Sequence, residues 1–215
     1  KSLPIQIRHA DRLYIDGAWV APKKSARIEV VSPYNEQVTA VVAAAGPEDM
    51  DRAVAAARKA FDTGPWPRLT HAKRAEYLMK LADELEKRIP ELARCWTEQV
   101  GALAAPAPMT VGFVTSMVRY AAGQADKFPF VETVHTVDGK GAARVVREPV
   151  GVVAAIAPWN APYMIMINKV CPALLTGVDG RPLVVYRDDN HFGARFVVTL
   201  APALGRAWDA APPRR

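Results

Sequence analysis

The sequence predicts an α/β protein. Three observations support this fold class: β-branched runs up to Ala44, four stretches of helical periodicity between Pro47 and Lys127, and a return to strand-like runs before an apolar helix that ends at Gly177. Strands and helices that follow one another in this way are typical of an α/β fold. The chain of 215 residues, 50% of them hydrophobic, is long enough to bury a sizeable core without disulfides.

The N-terminal part is predicted to form antiparallel strands. Residues Leu13–Val20 suit a hairpin, because Asp16-Gly17 fits a type I′ turn, in which both central residues need positive φ. Arg27–Val31 and Gln37–Ala44 are two further β-branched runs, and the turn residues Ser32–Asn35 separate them.

Four helices are predicted next. They begin at Pro47, near Thr70, at Pro90 and near Met109, and the last two end near Gly101 and Lys127. Proline is favoured at the first helical position, which supports the start at Pro47. Apolar residues at helical spacing predict the buried faces: Met50, Val54, Ala57 and Phe61 on the first helix, Ala75, Leu78, Leu81 and Leu85 on the second, and Val111, Val114, Val118, Ala121 and Ala125 on the fourth.

Strands are predicted again after the fourth helix. Val131–Val137 and Ala143–Arg147 flank a turn and predict a second hairpin. Val150–Ala157 is continuously apolar, which is typical of a strand buried on both faces of a parallel sheet. Residues Tyr163–Thr176 then predict an apolar helix, with Gly177 suited to end it and an internal proline expected to kink it.

Residues 178–215 differ from the rest of the chain. They contain six arginines and no lysine, whereas all ten lysines lie at or before Lys169. Short strands are predicted at 183–186 and 196–200. The run Arg187–His191 is interpreted as a polar turn, because adjacent ligands on one short segment rarely converge on a metal ion. We therefore expect a divergent tail and no metal site.

Composition and charge argue against several classes of function. The 28 Lys and Arg exceed the 22 Asp and Glu, but no basic stripe with interleaved aromatic residues is present, so nucleic-acid binding is not expected. The longest apolar run, Val150–Pro158, is too short to cross a bilayer, and the N-terminus lacks a signal-peptide core. Only two cysteines occur, which is usual in a reducing compartment. We expect a cytoplasmic protein with no membrane partner.

One turn carries a side chain suited to catalysis. Asn160 follows the predicted buried strand and lies between Pro158 and Pro162, at the carboxyl end where open parallel sheets bind ligands. Its neutral amide can donate a hydrogen bond without a change of protonation, as a donor to an oxyanion must. The alternative is a turn asparagine that satisfies backbone groups, and the spacing alone favours that alternative.

Cys95 and Cys171 are the two candidate nucleophiles. A reactive thiol needs a lowered pKa and exposure to solvent. Cys95 lies in the middle of a predicted helix, and Cys171 lies late in another, where the helix dipole disfavours a thiolate. Core packing is therefore the predicted role of both.

Ordered motifs run almost continuously from Leu13 to Gly177. They are Leu13–Trp19, Val31–Asn35, Phe61-Asp62 with Gly64–Trp66, Arg119–Gly123 with Ala125–Lys127, Arg147–Val153 with Ile156–Asn160, and Lys169–Gly177. Together they resemble the NAD(P)-dependent aldehyde dehydrogenase superfamily. So long a series is more specific than any single motif.

The resemblance implies both a fold and a chemistry. The fold would be a partial Rossmann-like cofactor domain, with Val131–Arg147 as an oligomerisation hairpin. An aldehyde would be oxidised to a carboxylic acid with NAD or NADP after attack by a thiolate, and Asn160 would be the amide that stabilises the oxyanion. Lys169 would join a proton relay, with a structural ion pair as an equal alternative. The residues expected along the nicotinamide-ribose and pyrophosphate side of the cofactor are Ile156, Ala157, Pro158 and Trp159.

The resemblance ends after Gly177. The family continues with a strand lysine, a glutamate base and a nucleophilic cysteine, and none of these is found in residues 178–215. The implied division is 1–130 for the N-terminal part of the cofactor domain, 131–148 for the hairpin, 149–177 for a cofactor-domain strand and helix, and 178–215 for the divergent tail. We expect a truncated oxidoreductase that is inactive alone and supplies only part of the cofactor cleft.

Two other interpretations remain open. The chain could be a non-catalytic interaction fragment whose hairpin forms a homo-oligomer or pairs with full-length subunits through strand addition. It could also be a non-functional product whose unpaired sheet edge promotes aggregation.

Overall fold

The computed structural model describes residues 7–177. The strands predicted at 183–186 and 196–200 and the polar turn at 187–191 lie outside the described residues. Within the described part, the strands are β1 (Leu13–Ile15), β2 (Ala18–Val20), β3 (Arg27–Val31), β4 (Val38–Ala43), β5 (Val131–His135) and β6 (Ala142–Val146). The α-helices are α1 (Pro47–Thr63), α2 (His71–Glu86), α3 (Ile89–Val100), α4 (Ala107–Ala122) and α5 (Pro162–Thr176), with a short 3₁₀ helix at Trp66–Arg68.

The strands form three separate antiparallel pairs among the described residues: β1 with β2, β3 with β4, and β5 with β6. The turn between β1 and β2 confirms its prediction, because Asp16 and Gly17 have φ of 52° and 80°. In the second pair Arg27 lies opposite Ala43, as expected for the two β-branched runs.

The predicted helix boundaries are largely confirmed. The Thr70 hydroxyl caps α2 by accepting a hydrogen bond from the Lys73 main-chain N–H at 3.2 Å. Gly101 ends α3 in the left-handed conformation, with φ of 75°. Helix α4 ends at Ala122 rather than at the predicted Lys127. The N–H groups of residues 124, 125 and 127 bond to the carbonyls three residues back, so the chain continues there in tighter turns.

The predicted inward face of α1 is wrong at Val54, which is exposed, whereas Asp49, Ala53 and Ala57 are buried. The carboxylate of Asp49 accepts hydrogen bonds from the main-chain N–H groups of residues 23 and 46 at 3.0 and 3.1 Å. These bonds draw the Asp49 side of the helix inward, and the small alanines allow a close approach.

The core lies among the helices. Helix α2 packs on α4 and α5, α4 also packs on α5, and α3 packs on α4. The predicted α2 residues Leu78, Leu81 and Leu85 are buried there. The Trp66 indole donates a buried hydrogen bond to the Leu174 carbonyl at 3.0 Å and ties the end of α5 to this core.

The second predicted hairpin is confirmed as β5 and β6, with Val131 opposite Val146. Five of its valines are exposed within the described chain: Val131, Val134, Val137, Val145 and Val146. An ion pair between Arg147 and Glu132 at 3.0 Å lies at its base.

The strand predicted at Val150–Ala157 is not formed among the described residues, and its burial on both faces is wrong. Val150 is 87% exposed and Ile156 is 59% exposed, whereas Ala155 and Ala157 are buried. The segment thus packs through one face only. A strand also needs a hydrogen-bonded neighbour, and no described segment pairs with this one.

Helix α5 confirms the predicted apolar helix, and Gly177 ends it with φ of 107°. None of the described helices is both long and apolar enough to span a bilayer.

Candidate functional site

The candidate site is the turn at residues 158–162, which leads into α5. Asn160 is exposed, and Pro162 occupies the first turn of the helix. The first hydrogen bond of the helix runs from the Ile165 N–H to the Ala161 carbonyl at 3.2 Å. The Asn160 carbonyl therefore lies outside the helical ladder, and another donor must satisfy it.

Helix α3 holds this turn through three side-chain hydrogen bonds. The Trp96 indole donates to the Asn160 carbonyl at 3.1 Å. The Trp159 indole donates back to the Gln99 carbonyl at 3.3 Å. The Tyr163 hydroxyl donates to the Leu92 carbonyl at 3.1 Å, in a buried position. Sequence reasoning missed Trp96, because the contact spans 64 residues of sequence. The available signal was the tryptophan itself, on a helix whose other apolar residues are interpreted as core packing. A partly buried indole N–H usually donates a hydrogen bond to some acceptor.

The Asn160 carboxamide makes no hydrogen bond to any residue in the described part of the chain. It therefore does not act as a local turn asparagine toward any described backbone group. Its main chain is held by Trp96, and its side-chain N–H group stays available to a hydrogen-bond acceptor.

The residues expected beside the cofactor follow one another in the chain but differ in how far their side chains are exposed to solvent. Ile156 exposes its side chain to solvent, whereas Ala157 is buried at 5% exposure. Pro158 and Trp159 are half-buried, and the Trp159 N–H is already bonded to α3. Ile156 thus presents an exposed apolar side chain, a surface chemically suited to contact with a nucleotide ring or ribose.

Lys169 is exposed on α5. Seven residues separate it from the start of the helix at Pro162, which places it about 10 Å further along the axis. No described carboxylate lies within ion-pair distance of it. Within residues 7–177, the structure thus gives no support to the ion-pair alternative.

Both cysteines are buried and neither forms a disulfide. Burial raises the pKa of the Cys171 thiol to about 12. These environments agree with the predicted core roles. No group of three or more possible metal ligands occurs in the described residues.

A separate cavity of about 520 Å³ lies between α4 and α5 and is lined mainly by apolar side chains. Phe113, Tyr120 and Ile167 are among its lining residues. None of the predicted site residues lines this cavity.

Comparison with known proteins decides the family. Residues 19–179 match the aldehyde dehydrogenase family. The chain belongs to that family. Among curated family members, aldehyde dehydrogenase 1 of Tanacetum cinerariifolium is 40% identical over 178 residues, and the match covers 82% of this chain and 35% of the relative. Betaine aldehyde dehydrogenase of Bacillus subtilis is 32% identical over 165 residues, with 77% of this chain and 34% of the relative covered.

Solved structures of the family confirm the fold. The NAD-dependent aldehyde dehydrogenase of Sinorhizobium meliloti superposes with a TM-score of 0.79 at 36% identity, covering 90% of this chain and 38% of that one. Betaine aldehyde dehydrogenase of Staphylococcus aureus, in complex with NAD⁺, superposes with a TM-score of 0.83 at 29% identity, covering 92% and 38%. The fold is therefore a partial α/β, Rossmann-like aldehyde dehydrogenase domain. The chain spans about a third of the length of the curated relatives that it matches.

Proposed function

We propose that this chain supplies the oxyanion-stabilising turn and part of the cofactor cleft of an aldehyde dehydrogenase. The reaction is the oxidation of an aldehyde to a carboxylic acid with NAD⁺ or NADP⁺. The observation that carries the proposal is the geometry of Asn160, whose main chain is bonded to α3 and whose carboxamide is exposed and unengaged among the described residues.

Asn160 acts on the aldehyde oxygen. When a thiolate adds to the aldehyde carbon, that oxygen takes up negative charge, and a fixed N–H donor lowers the energy of the charged state. A neutral amide keeps its proton throughout, so the stabilisation does not depend on pH. Helix α3 fixes the main chain of the turn before the charge develops, which limits how far the donor must reorganise.

The cofactor would be held against the segment before the turn. The exposed side chain of Ile156 and the main chain of Ala157 and Pro158 would contact its nicotinamide-ribose and pyrophosphate side, and the Trp159 ring would contribute apolar surface. When bound, NAD⁺ or NADP⁺ accepts the hydride. The Staphylococcus aureus relative is solved in complex with NAD⁺, which supports a nicotinamide dinucleotide as the cofactor.

Lys169 is proposed as a member of a proton relay rather than of an ion pair. Its ammonium group is exposed and lies near no described carboxylate. An exposed lysine without a carboxylate partner can exchange protons with solvent.

The chain alone is proposed to have no turnover. Its two cysteines are both buried, so it presents no thiolate to an aldehyde. Purified chain incubated with aliphatic and aromatic aldehydes and either cofactor is expected to form no reduced nicotinamide. Aldehyde-dependent formation above the no-enzyme rate would contradict this proposal.

A chimeric enzyme tests the positive half of the proposal. Residues 7–177 replace the corresponding segment of the Sinorhizobium meliloti enzyme, which then supplies the rest of the fold. The chimera is expected to oxidise aldehydes. A chimera that folds and binds NAD⁺ but does not turn over would contradict the proposed function.

A second candidate function is that of an interaction fragment acting through β5 and β6. The exposed valines of β5 and β6 favour it, because exposed apolar strands pair readily with other chains. Co-purification with an intact homologue at micromolar concentration would support it. A mixture in which the chain stays monomeric and the homologue keeps its own size would contradict it.

The division of the chain at residues 130, 148 and 177 remains a prediction under either function.

A further inference from the structure

One stripe of α3 faces the candidate site. Leu92, Trp96 and Gln99 are spaced four and three residues apart, so they lie on the same side of the helix. All three bond to the segment from Trp159 to Tyr163. The bonds run in both directions, because α3 donates once and accepts twice.

Two of these bonds satisfy main-chain groups that the helices leave unpaired. Gln99 lies in the last turn of α3, where the final four carbonyls have no helical partner, and the Trp159 indole occupies one of them. The Asn160 carbonyl lies before the first hydrogen bond of α5, and Trp96 is its donor among the described residues.

We propose that Trp96 is a positioning residue for Asn160. A hydrogen bond to the Asn160 carbonyl fixes the peptide plane that follows this residue, and the direction of its side chain depends on that plane. Tyr163 and Trp159 hold the two sides of the turn, whereas Trp96 alone among the described side chains holds Asn160 itself. The catalytic meaning of this bond rests on the proposed function of Asn160, but the bond can be tested without turnover.

Three variants of the 215-residue chain separate the bond from the ring. Trp96→Phe keeps an aromatic ring and removes the N–H donor. Trp96→His restores a donor, because its Nε2 lies the same number of bonds from Cα as the indole Nε1. Trp66→Phe is the matched control, since it removes the indole bond at the other end of α5.

Hydrogen exchange measured by NMR is the readout. The Ile165 amide reports on the first turn of α5, and the Trp159 indole N–H reports on the neighbouring bond. Loss of one typical hydrogen bond in Trp96→Phe is expected to speed exchange of both about fivefold and to leave the amides of α2 unchanged. Trp96→His is expected to lie within about twofold of the wild type, and Trp66→Phe to act only near Leu174.

Two results would overturn the inference. One is unchanged exchange at Ile165 in Trp96→Phe. The other is a uniform increase along the whole chain, which would make Trp96 an ordinary packing residue.

The chimera separates this inference from the proposed function. Trp96→Phe is expected to lower kcat about fivefold with little change in KM, and Trp96→His to recover most of it. If Trp96→Phe speeds local exchange while Asn160→Ala leaves kcat unchanged, the bond stands and the proposed role of Asn160 fails. If Trp96→Phe has neither effect while Asn160→Ala abolishes activity, the proposed function stands and the positioning role fails.

Discussion

The inaccessibility of both thiols is the feature of this chain that most directly limits its chemistry. Cys171 has no exposed surface, and burial raises the pKa of its thiol from 9.0 to about 12. A rise of three pKa units lowers the thiolate population at neutral pH about 1000-fold. Cys95 is also buried, on α3. Labelling of the folded chain must therefore proceed through opening of the structure.

Opening is rare in a folded domain. If it costs about 5 kcal/mol, only about one molecule in several thousand is open at a given time. We therefore expect iodoacetamide to modify the native chain at least about 1000-fold more slowly than the chain in concentrated urea. Intact-mass measurement over time gives both rates.

Matched variants assign the result to each thiol. Cys95→Ser and Cys171→Ser leave one thiol each, and Ser116→Cys adds a thiol at an exposed position of α4 as a positive control. Ser116→Cys is expected to react within the time that the unfolded chain needs. If the unmodified chain also gains one label in that time, a thiol is accessible and the proposed lack of turnover loses its basis.

Three further predictions concern stability, measured as urea-induced unfolding. Leu81→Ala should lower the free energy of unfolding by about 2–5 kcal/mol, because Leu81 is fully buried. The control Leu103→Ala, at a side chain that is 76% exposed, should lower it by less than about 0.5 kcal/mol. Similar losses in the two variants would contradict the packing. Gly177→Ala should lower the free energy of unfolding by about 1–3 kcal/mol, because φ at this residue is 107° and the new Cβ would lie 2.7 Å from Nη1 of Arg74. An unchanged free energy of unfolding would contradict this close approach. Partial burial, and then the charge of Arg74, lower the pKa of His71 below its ordinary 6.5. The unfolded chain therefore binds this proton more readily, so stability should fall as the pH drops below about 6.5, and His71→Gln should flatten that slope; an identical slope in the variant would refute the coupling.

Local chemistry made part of the fold predictable from the sequence. The Asp16-Gly17 turn, the Pro47 helix start and the Gly177 helix end each depend on the conformational preferences of one or two residues. Such preferences act within a few residues, so they can be recognised without knowledge of the tertiary structure.

Long-range contacts decided what the sequence could not predict. An apolar run such as Val150–Ala157 becomes a strand only where a partner strand is hydrogen-bonded to it, and no described segment provides one. The inward face of α1 is set by the bonds of Asp49 to the preceding loop, which hydrophobic spacing does not reveal.

In the candidate site, too, the local features could be predicted from the sequence and the long-range contacts could not. Asn160 and its flanking prolines were found from the residue types and from resemblance. The engagement of its carbonyl by Trp96, and the availability of its carboxamide, depend on the packing of α3 against the turn. Spacing alone favoured a local turn role for Asn160, because it gave no information about whether any backbone donor or acceptor lies within reach of the carboxamide.

The kcat of the Sinorhizobium chimera with Asn160→Ala tests the central claim most directly. Removal of one oxyanion donor is expected to lower kcat by about 10²–10³ while KM stays within about twofold. Asn35→Ala, in the turn between β3 and β4, is the matched control and should match the unmodified chimera. A kcat for Asn160→Ala equal to that of this control would contradict the claim that this amide stabilises the oxyanion.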